Sequence, residues 1–433
     1  MGDLKFTDLK LTPELQKVLK SNNFEVLTPI QASTITPIME GRNIIARAQT
    51  GSGKTLAFAV PTIEIISKID EKTGIMALII APTRELAMQT YDLIQKLVKS
   101  VNLTVGLCIG GVSRRKEEKM FQNDPSIIVS TPGRLLDHIK STGIRLSNVK
   151  ILIIDEFDKM LEIGFEETII KILKRLPSKR QNLLFSATMD DKMKYMVTME
   201  DPLFINIENN ENIKNNLKEY FIKCTESERI SILNSLLKKN IKTIVFFNSC
   251  NSVIFHYNLF QYWRFKCWGL HGNMKQNKRN QAFKEFGKAD DGILFCTDVC
   301  ARGIDFSDIE RIVQYDPPLS EREYVHRIGR TARAGKKGIA ILFLHSFEIS
   351  FIDKLNEIKE KKFESKDITK KLFKLIEQNY YLRGLAINAL KSYIHAYKGH
   401  PLKENFDISN LNIENVAKSF GFQRLPKIDF LDQ

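Results

Sequence analysis

No stretch of eighteen consecutive apolar residues occurs anywhere in the 433-residue chain, which excludes a membrane-spanning helix of ordinary length. The opening MGDLKFTDLK lacks the apolar centre of a signal peptide, and Phe6 stands where a myristoylation signal needs Ser or Thr. A protein neither secreted nor membrane-spanning is expected. Cysteine is sparse: Cys108, Cys224, Cys250, Cys267, Cys296 and Cys300 are scattered, mostly in apolar runs, with no CxxC pair among them. That usage predicts reduced core thiols in an intracellular compartment. An acidic excess is missing as well, since 65 Lys and Arg against 51 Asp and Glu leave a net charge of +14. A polyanionic partner is favoured over an acidic protein or a small metabolite.

What is present is length and rhythm. A chain this long, 43% apolar, favours two or three units with full cores. Between 43 and 208 short apolar runs alternate with helical patterns: NIIARA, IMALIIAP, TVGLCIG, SIIVSTP, KILIIDE, NLLFSAT and LFINIE. Runs of this kind predict an α/β fold with a parallel sheet covered by helices. The polar stretch 208–216 reads as a linker, after which EYFIKC, TIVFFNS, KCWGLHG, GILFCTD, RIVQYD and GIAILFL predict a second α/β unit. From about 351 to 398 the spacing turns helical, with a short helix and an ordered tail after it. Phe420, Phe422 and Leu425 in that tail are expected to dock on a neighbouring domain. KEKK at 359–362 reads as a solvated helix face rather than an import signal.

Three segments carry the chemistry. AQTGSGKT at 48–55 offers a phosphate loop, in which Gly51 and Gly53 let backbone N–H groups wrap an anion at a helix start. Ala48 occupies the first glycine position of the usual pattern. Lys54 adds a point charge, and the Thr55 hydroxyl suits a magnesium ion. ILIIDEFD at 151–158 ends a strand in Asp155, an outer partner for that ion, and Glu156, a base for water. HRIGRTAR at 326–333 supplies Arg330 and Arg333, which would complete the site from the other half.

In order, the chain also holds FEVLTPIQ at 24–31, PTRELA at 82–87, Gly110 and Gly111, TPGR at 131–134, SAT at 186–188, FFNS at 246–249 and TDVCARGID at 297–305. With the three segments above, this set resembles the DEAD-box RNA helicases of superfamily 2, from about Phe6 to Leu344. The resemblance implies two tandem RecA-like domains with parallel sheets, 1–207 and 217–347, a linker at 208–216 and a helical C-terminal extension at 348–433. It implies ATP and Mg2+ as cofactors. Phe24 would stack on adenine and Gln31 would bond its edge, while Gln49, Thr50, Gly51, Ser52, Gly53, Lys54 and Thr55 hold the phosphates. Gly303 and Asp305 would meet the nucleotide from the second half, and His326 would join the network across the cleft.

By the same resemblance, Ser186 and Thr188 link the nucleotide site to the RNA site. Thr83, Arg84, Gly110, Gly111, Thr131 and Arg134 in the first half, with Asn248, Gly272 and Thr297 in the second, are the expected RNA contacts. Glycines expose backbone N–H groups to phosphates and arginines add charge-assisted bonds, so no base sequence is read. Taken singly, the glycines also suit turns, the threonines helix caps and Phe24 a core. Three residues depart from the family: Phe157 replaces an alanine, Asn23 a glycine and Cys300 an alanine.

NYYL at 379–382, SYIHAYKGH at 392–400 and VAKSFGF at 416–422 look like the extension of the nucleolar ribosome-assembly branch typified by the Myc-regulated DEAD-box protein. That likeness implies a monomer in the nucleus and nucleolus, acting on pre-ribosomal RNA among assembly proteins. The expected activity is ATP-driven local unwinding or remodelling of RNA. An ATP-gated RNA clamp, with hydrolysis as a release timer, stays open as the alternative.

Overall fold

Among the described residues, fourteen strands, each pair of them parallel, build two seven-stranded sheets in the computed structural model of the chain. It describes residues 4–427 apart from 49–50, 71, 189–196, 198, 208–215, 238–239, 299–305, 307, 333–335 and 356. The expected linker lies, except for residue 216, outside the described residues. The chain divides into two compact units with a boundary between Asn210 and Glu211.

In the first unit the strands are β1 (Ile44–Arg47), β2 (Ala77–Ile80), β3 (Val105–Cys108), β4 (Ile127–Ser130), β5 (Ile151–Asp155), β6 (Gln181–Ser186) and β7 (Leu203–Asn206). Their spatial order is β3-β4-β2-β5-β6-β1-β7. Alternate residues of each strand enter two separate cores: Ile79, Val129, Ile153 and Phe185 on one face, Leu78, Ile128, Leu152 and Leu184 on the other. A parallel sheet covered on both faces needs apolar residues at every position, which is why the strands read as unbroken runs.

The second unit holds β8 (Leu217–Lys223), β9 (Thr243–Phe247), β10 (Cys267–Leu270), β11 (Ile293–Thr297), β12 (Arg311–Gln314), β13 (Gly338–Leu344) and β14 (Lys359–Glu360), in the order β10-β11-β9-β12-β13-β8-β14. The last strand corrects the reading of KEKK as a helix face. Lys359 and Glu360 pair in parallel with Tyr220 and Phe221 on β8, at an exposed edge. Charged side chains suit an edge because they discourage further strand addition. The helical pattern expected from 351 is likewise corrected: a 3-10 helix ends at Lys354, and the α-helices are Thr369–Gln378 and Tyr380–Lys398.

The extension packs within the second unit. Phe420 lies 5.6 Å from the Phe255 ring, and Phe422 is buried too. Leu425 departs from expectation, since it is 38% exposed. Four of the five described cysteines are buried, Cys250 is half-buried, and none is in a disulfide.

Candidate nucleotide and RNA sites

In the first unit, the phosphate loop, the acidic pair and SAT leave the carboxyl ends of β1, β5 and β6, where open α/β sheets bind ligands. Gly51 at φ +85° and Gly53 at φ +92° take left-handed conformations that a side chain would strain, and the helix Lys54–Ser67 begins at once. The helix start presents unpaired N–H groups to an anion. Lys54 is buried, and its Nζ donates to the carbonyl oxygen of Ala48 at 2.9 Å, a neutral partner that a phosphate can replace. Ser52 Oγ is buried without a hydrogen-bond partner among the described residues.

Gln31 comes to this loop from far upstream. It forms a capping box with Thr28 on the helix Pro29–Met39, accepting the Thr28 N–H at 2.9 Å, and its Nε2 donates to Gly53 O at 3.1 Å. A Cβ on Gly53 would come within 2.5 Å of that nitrogen. Phe24 is half-buried against the first core. Asn23, where the family has glycine, has φ +59°, and asparagine is among the few residues that tolerate this region.

Asp155 and Glu156 are both buried. Burial pushes the Asp155 carboxyl up to about 7, with Glu156 adding to the rise and Lys54 and Lys159 opposing it. Glu156 sits at φ +50°, and its Oε2 is 3.2 Å from Lys159 Nζ. One carboxylate further on, Asp158 Oδ2 accepts from the Thr188 backbone N–H at 3.0 Å and from its hydroxyl at 3.1 Å. Ser186 Oγ accepts the Asp158 N–H at 3.3 Å. Asp158 thereby ties SAT to the acidic strand end. Asp155 Oδ1 is buried with no hydrogen-bond partner among the described residues, and the Thr55 hydroxyl lies on the first turn after the loop. Hard oxygen donors beside a phosphate loop fit Mg2+.

The RNA candidates of this unit collect at the three strand ends on the other side of β5. Thr83 caps the helix after β2, with its Oγ1 accepting the Leu86 N–H at 3.3 Å. The Arg84 guanidinium lies against Gly110 after β3, so closely that a Cβ there would come within 2.6 Å of it. Gly111 has φ +83°. After β4, Thr131 begins the helix Pro132–Ser141, and Arg134 donates to Glu117 Oε2 at 2.6 Å and to Val112 O at 2.9 Å. Glu117 also binds His138 Nε2 at 2.7 Å and accepts the Ile109 N–H at 3.0 Å. Cys108, Glu117 and His138 hold ligand-type atoms within 4.8 Å of one another. The Arg134 guanidinium already supplies the cation for that carboxylate.

The second unit repeats the layout. Asn248, Gly272 and Thr297 follow or end β9, β10 and β11, three neighbouring strands. Asn248 accepts from Arg327 Nη2 at 2.9 Å and donates to Pro317 O at 2.8 Å. Arg327 also pairs with Asp298, at 2.7 Å through Nε and 2.5 Å through Nη2. His326 and Arg330 are buried around the end of the helix Glu321–Ile328, and Arg330 Nε donates to His326 O at 3.3 Å. Gln49, Thr50, Cys300, Gly303, Asp305 and Arg333 lie outside the described residues.

Against this geometry, residues 28–196 match the DEAD/DEAH box helicase family, 228–335 the helicase conserved C-terminal domain, and 379–428 the ATP-dependent rRNA helicase SPB4-like C-terminal extension. The probable ATP-dependent RNA helicase ddx18 of Dictyostelium discoideum is 41% identical over 98% of this chain and 74% of its own. The chain belongs to the DEAD-box helicases. The human ATP-dependent RNA helicase DDX18 is 43% identical over 95% of the chain and 64% of its own length. Among solved structures, Mss116p bound to ssRNA and AMP-PNP superposes with a TM-score of 0.86 at 29% identity, covering 97% of this chain and 91% of that one. S. cerevisiae Dbp5 bound to RNA and ADP BeF3 reaches 0.73 at 28% identity, over 86% and 99% of the two chains.

For this DEAD-box chain, motif reading left several side chains at the site without a role. Asp158 and Lys159 lie in or just after DEFD and could have been suspected from their place beside the acidic pair. Glu117 carries no local signal, because its partners Arg134 and His138 lie 17 and 21 residues away. Phe157, in place of the family's alanine, is fully buried in the second core of the first unit.

Proposed function

We propose that the protein is an ATP-dependent RNA helicase of large-subunit ribosome assembly, which hydrolyses ATP on its first unit to grip, locally unwind and then release RNA. One observation supports this most: Asp158 hydrogen-bonds Ser186 and Thr188 beside the Asp155–Glu156 pair, coupling the hydrolytic strand end to its neighbour. In this reading 1–207 is the ATP-binding domain, 208–216 the linker, 217–347 the second helicase domain and 348–433 the extension.

Phe24 and Gln31 select adenine, the loop 49–55 binds the phosphates, and Glu156 takes the proton of the attacking water. Thr55 and Asp155 would hold Mg2+, whose charge offsets that of the phosphates. With ATP and RNA bound, Arg330 and Arg333 come from the second unit to the γ-phosphate, aided by His326, Gly303 and Asp305. Thr83, Arg84, Gly110, Gly111, Thr131 and Arg134 then act with Asn248, Gly272 and Thr297 on one RNA backbone. The SPB4-like extension supports pre-ribosomal RNA as substrate, with assembly proteins nearby and the nucleolus as the place of work.

The test is strand separation of a short RNA duplex under saturating ATP, with Lys54→Ala as the control. The parent should separate strands and the variant should not. Undiminished activity of Lys54→Ala overturns the phosphate-loop assignment. Hydrolysis with long RNA dwell and no separation would favour the clamp. Crosslinking to cellular RNA should recover pre-ribosomal sequences.

A further inference from the structure

Arg229 opens the helix Arg229–Leu236 in the second unit and is 3% exposed, yet a guanidinium keeps its charge in any protein environment. Its charge is held between two rings. The guanidinium carbon lies 4.2 Å from the centre of Tyr315 and 5.0 Å from that of Tyr393. Tyr315 follows β12, whereas Tyr393 belongs to the extension helix Tyr380–Lys398. Arg229 Nη2 donates to Asp316 Oδ1 at 2.9 Å and also to the Tyr315 carbonyl oxygen. The other oxygen of that carboxylate, Asp316 Oδ2, accepts the backbone N–H of Asn248 at 3.0 Å.

A second route runs through the loop after Asp316. Asn248 Nδ2 donates to Pro317 O at 2.8 Å, and the next carbonyl, Pro318 O, accepts from His400 Nε2 of the extension at 3.2 Å. Beside it, Asn251 Nδ2 donates to Ser392 Oγ at 2.7 Å. The extension therefore reaches two of the three supports of Asn248 at one remove, through Arg229 to its carboxylate and through Pro318 to its carbonyl, while Arg327 holds its amide oxygen independently.

We propose that Arg229 is a positioning residue for RNA binding, through which Tyr393 of the extension fixes Asp316 and thereby Asn248. The proposal rests on Asn248 as an RNA contact. Physically, a buried guanidinium that loses one aromatic face is free to shift within its pocket, and the carboxylate it neutralises shifts with it. Asn248 then loses its fixed place at the strand end. Nucleotide binding on the first unit shares none of these groups.

The experiment compares Tyr393→Leu and Tyr393→Phe in the full chain. Tyr393→Leu should raise the RNA concentration for half-maximal ATPase by about tenfold, with the KM for ATP and the RNA-saturated kcat unchanged. Tyr393→Phe should match the parent, because the ring face remains and the lost hydroxyl has no hydrogen-bond partner among the described residues. In an Asn248→Ala background Tyr393→Leu should add nothing further; a fully additive loss overturns the proposal. Amide hydrogen exchange at Asn248, measured without RNA, should quicken in Tyr393→Leu, and unchanged exchange overturns the coupling. Faster exchange alongside parental RNA binding by Asn248→Ala would instead refute the RNA role of Asn248. Should Tyr393→Leu fail to fold, His400→Ala must raise the RNA requirement in the same direction, and an unchanged requirement overturns the proposal.

Discussion

Lys159 Nζ lies 3.2 Å from Glu156 Oε2, and both side chains are buried. The pair sets a buried cation directly against the carboxylate proposed as the base. Glu156 also stands in the left-handed region at φ +50°, a conformation kept only where the surroundings enforce it.

Glu156→Gln should keep the shape while removing the base. Hydrolysis is expected to fall by roughly two to four orders of magnitude, as for loss of a general base. Binding of ATP and RNA should persist, and RNA should dwell longer. Single-turnover hydrolysis and RNA dissociation in excess ATP check this; release as fast as in the parent refutes hydrolysis-coupled release.

Phe157→Ala restores the alanine common in the family but leaves a hole in the core around Leu152, Ile154, Met160 and Leu184. The cost should be about 3–5 kcal/mol of stability in the first unit. Denaturant unfolding should show that loss while ATP affinity changes little. An unaltered unfolding midpoint would show that the ring contributes no packing.

How much of this was legible in the sequence depends on how each feature is encoded. The thirteen strands read from the chain are runs such as ILII and TIVFF, because a sheet buried on both faces writes its period directly. The strand Lys359–Glu360 has no apolar residue and arises only from lying beside Tyr220 and Phe221. Motifs marked the strand ends where phosphate and RNA candidates gather, since glycines and threonines there serve the backbone itself. They left Arg229 silent, because a contact 87 residues apart has no local pattern. Leu425 misled for a related reason: Phe420 packs on Phe255 and Phe422 is buried, and three residues on the chain has turned outward.

RNA affinity should depend steeply on salt. With about six phosphate contacts and a single-strand slope near 0.7 for each, affinity should drop by roughly two to three orders of magnitude between about 50 and 200 mM salt. Arg84→Ala should weaken binding across all sequences and flatten the slope by about 0.7. Fluorescence anisotropy with unstructured RNA supplies the measurement. A flat dependence would mean that phosphates do not dominate the contact.

Glu348, at the start of the extension, joins Tyr397 to His345 at a cost in pH dependence. Its Oε1 accepts the Tyr397 hydroxyl at 2.6 Å and its Oε2 the His345 N–H at 2.7 Å. Burial nevertheless raises its carboxyl from 4.5 to about 7, with Tyr397 and His345 opposing the rise. The folded form therefore holds a proton that the unfolded chain gives up between those values. Its contribution is fully present below the lower value and is lost as pH climbs to the upper one. Glu348→Gln should keep both contacts, since the amide oxygen can accept from His345 while its nitrogen donates to a rotated Tyr397 hydroxyl. The variant should therefore be more stable than the parent at pH 8, by on the order of 2 kcal/mol, with the gap closing toward pH 5. Thermal unfolding at both pH values decides it: an equal gap at the two would mean that Glu348 stays ionised in the folded protein throughout.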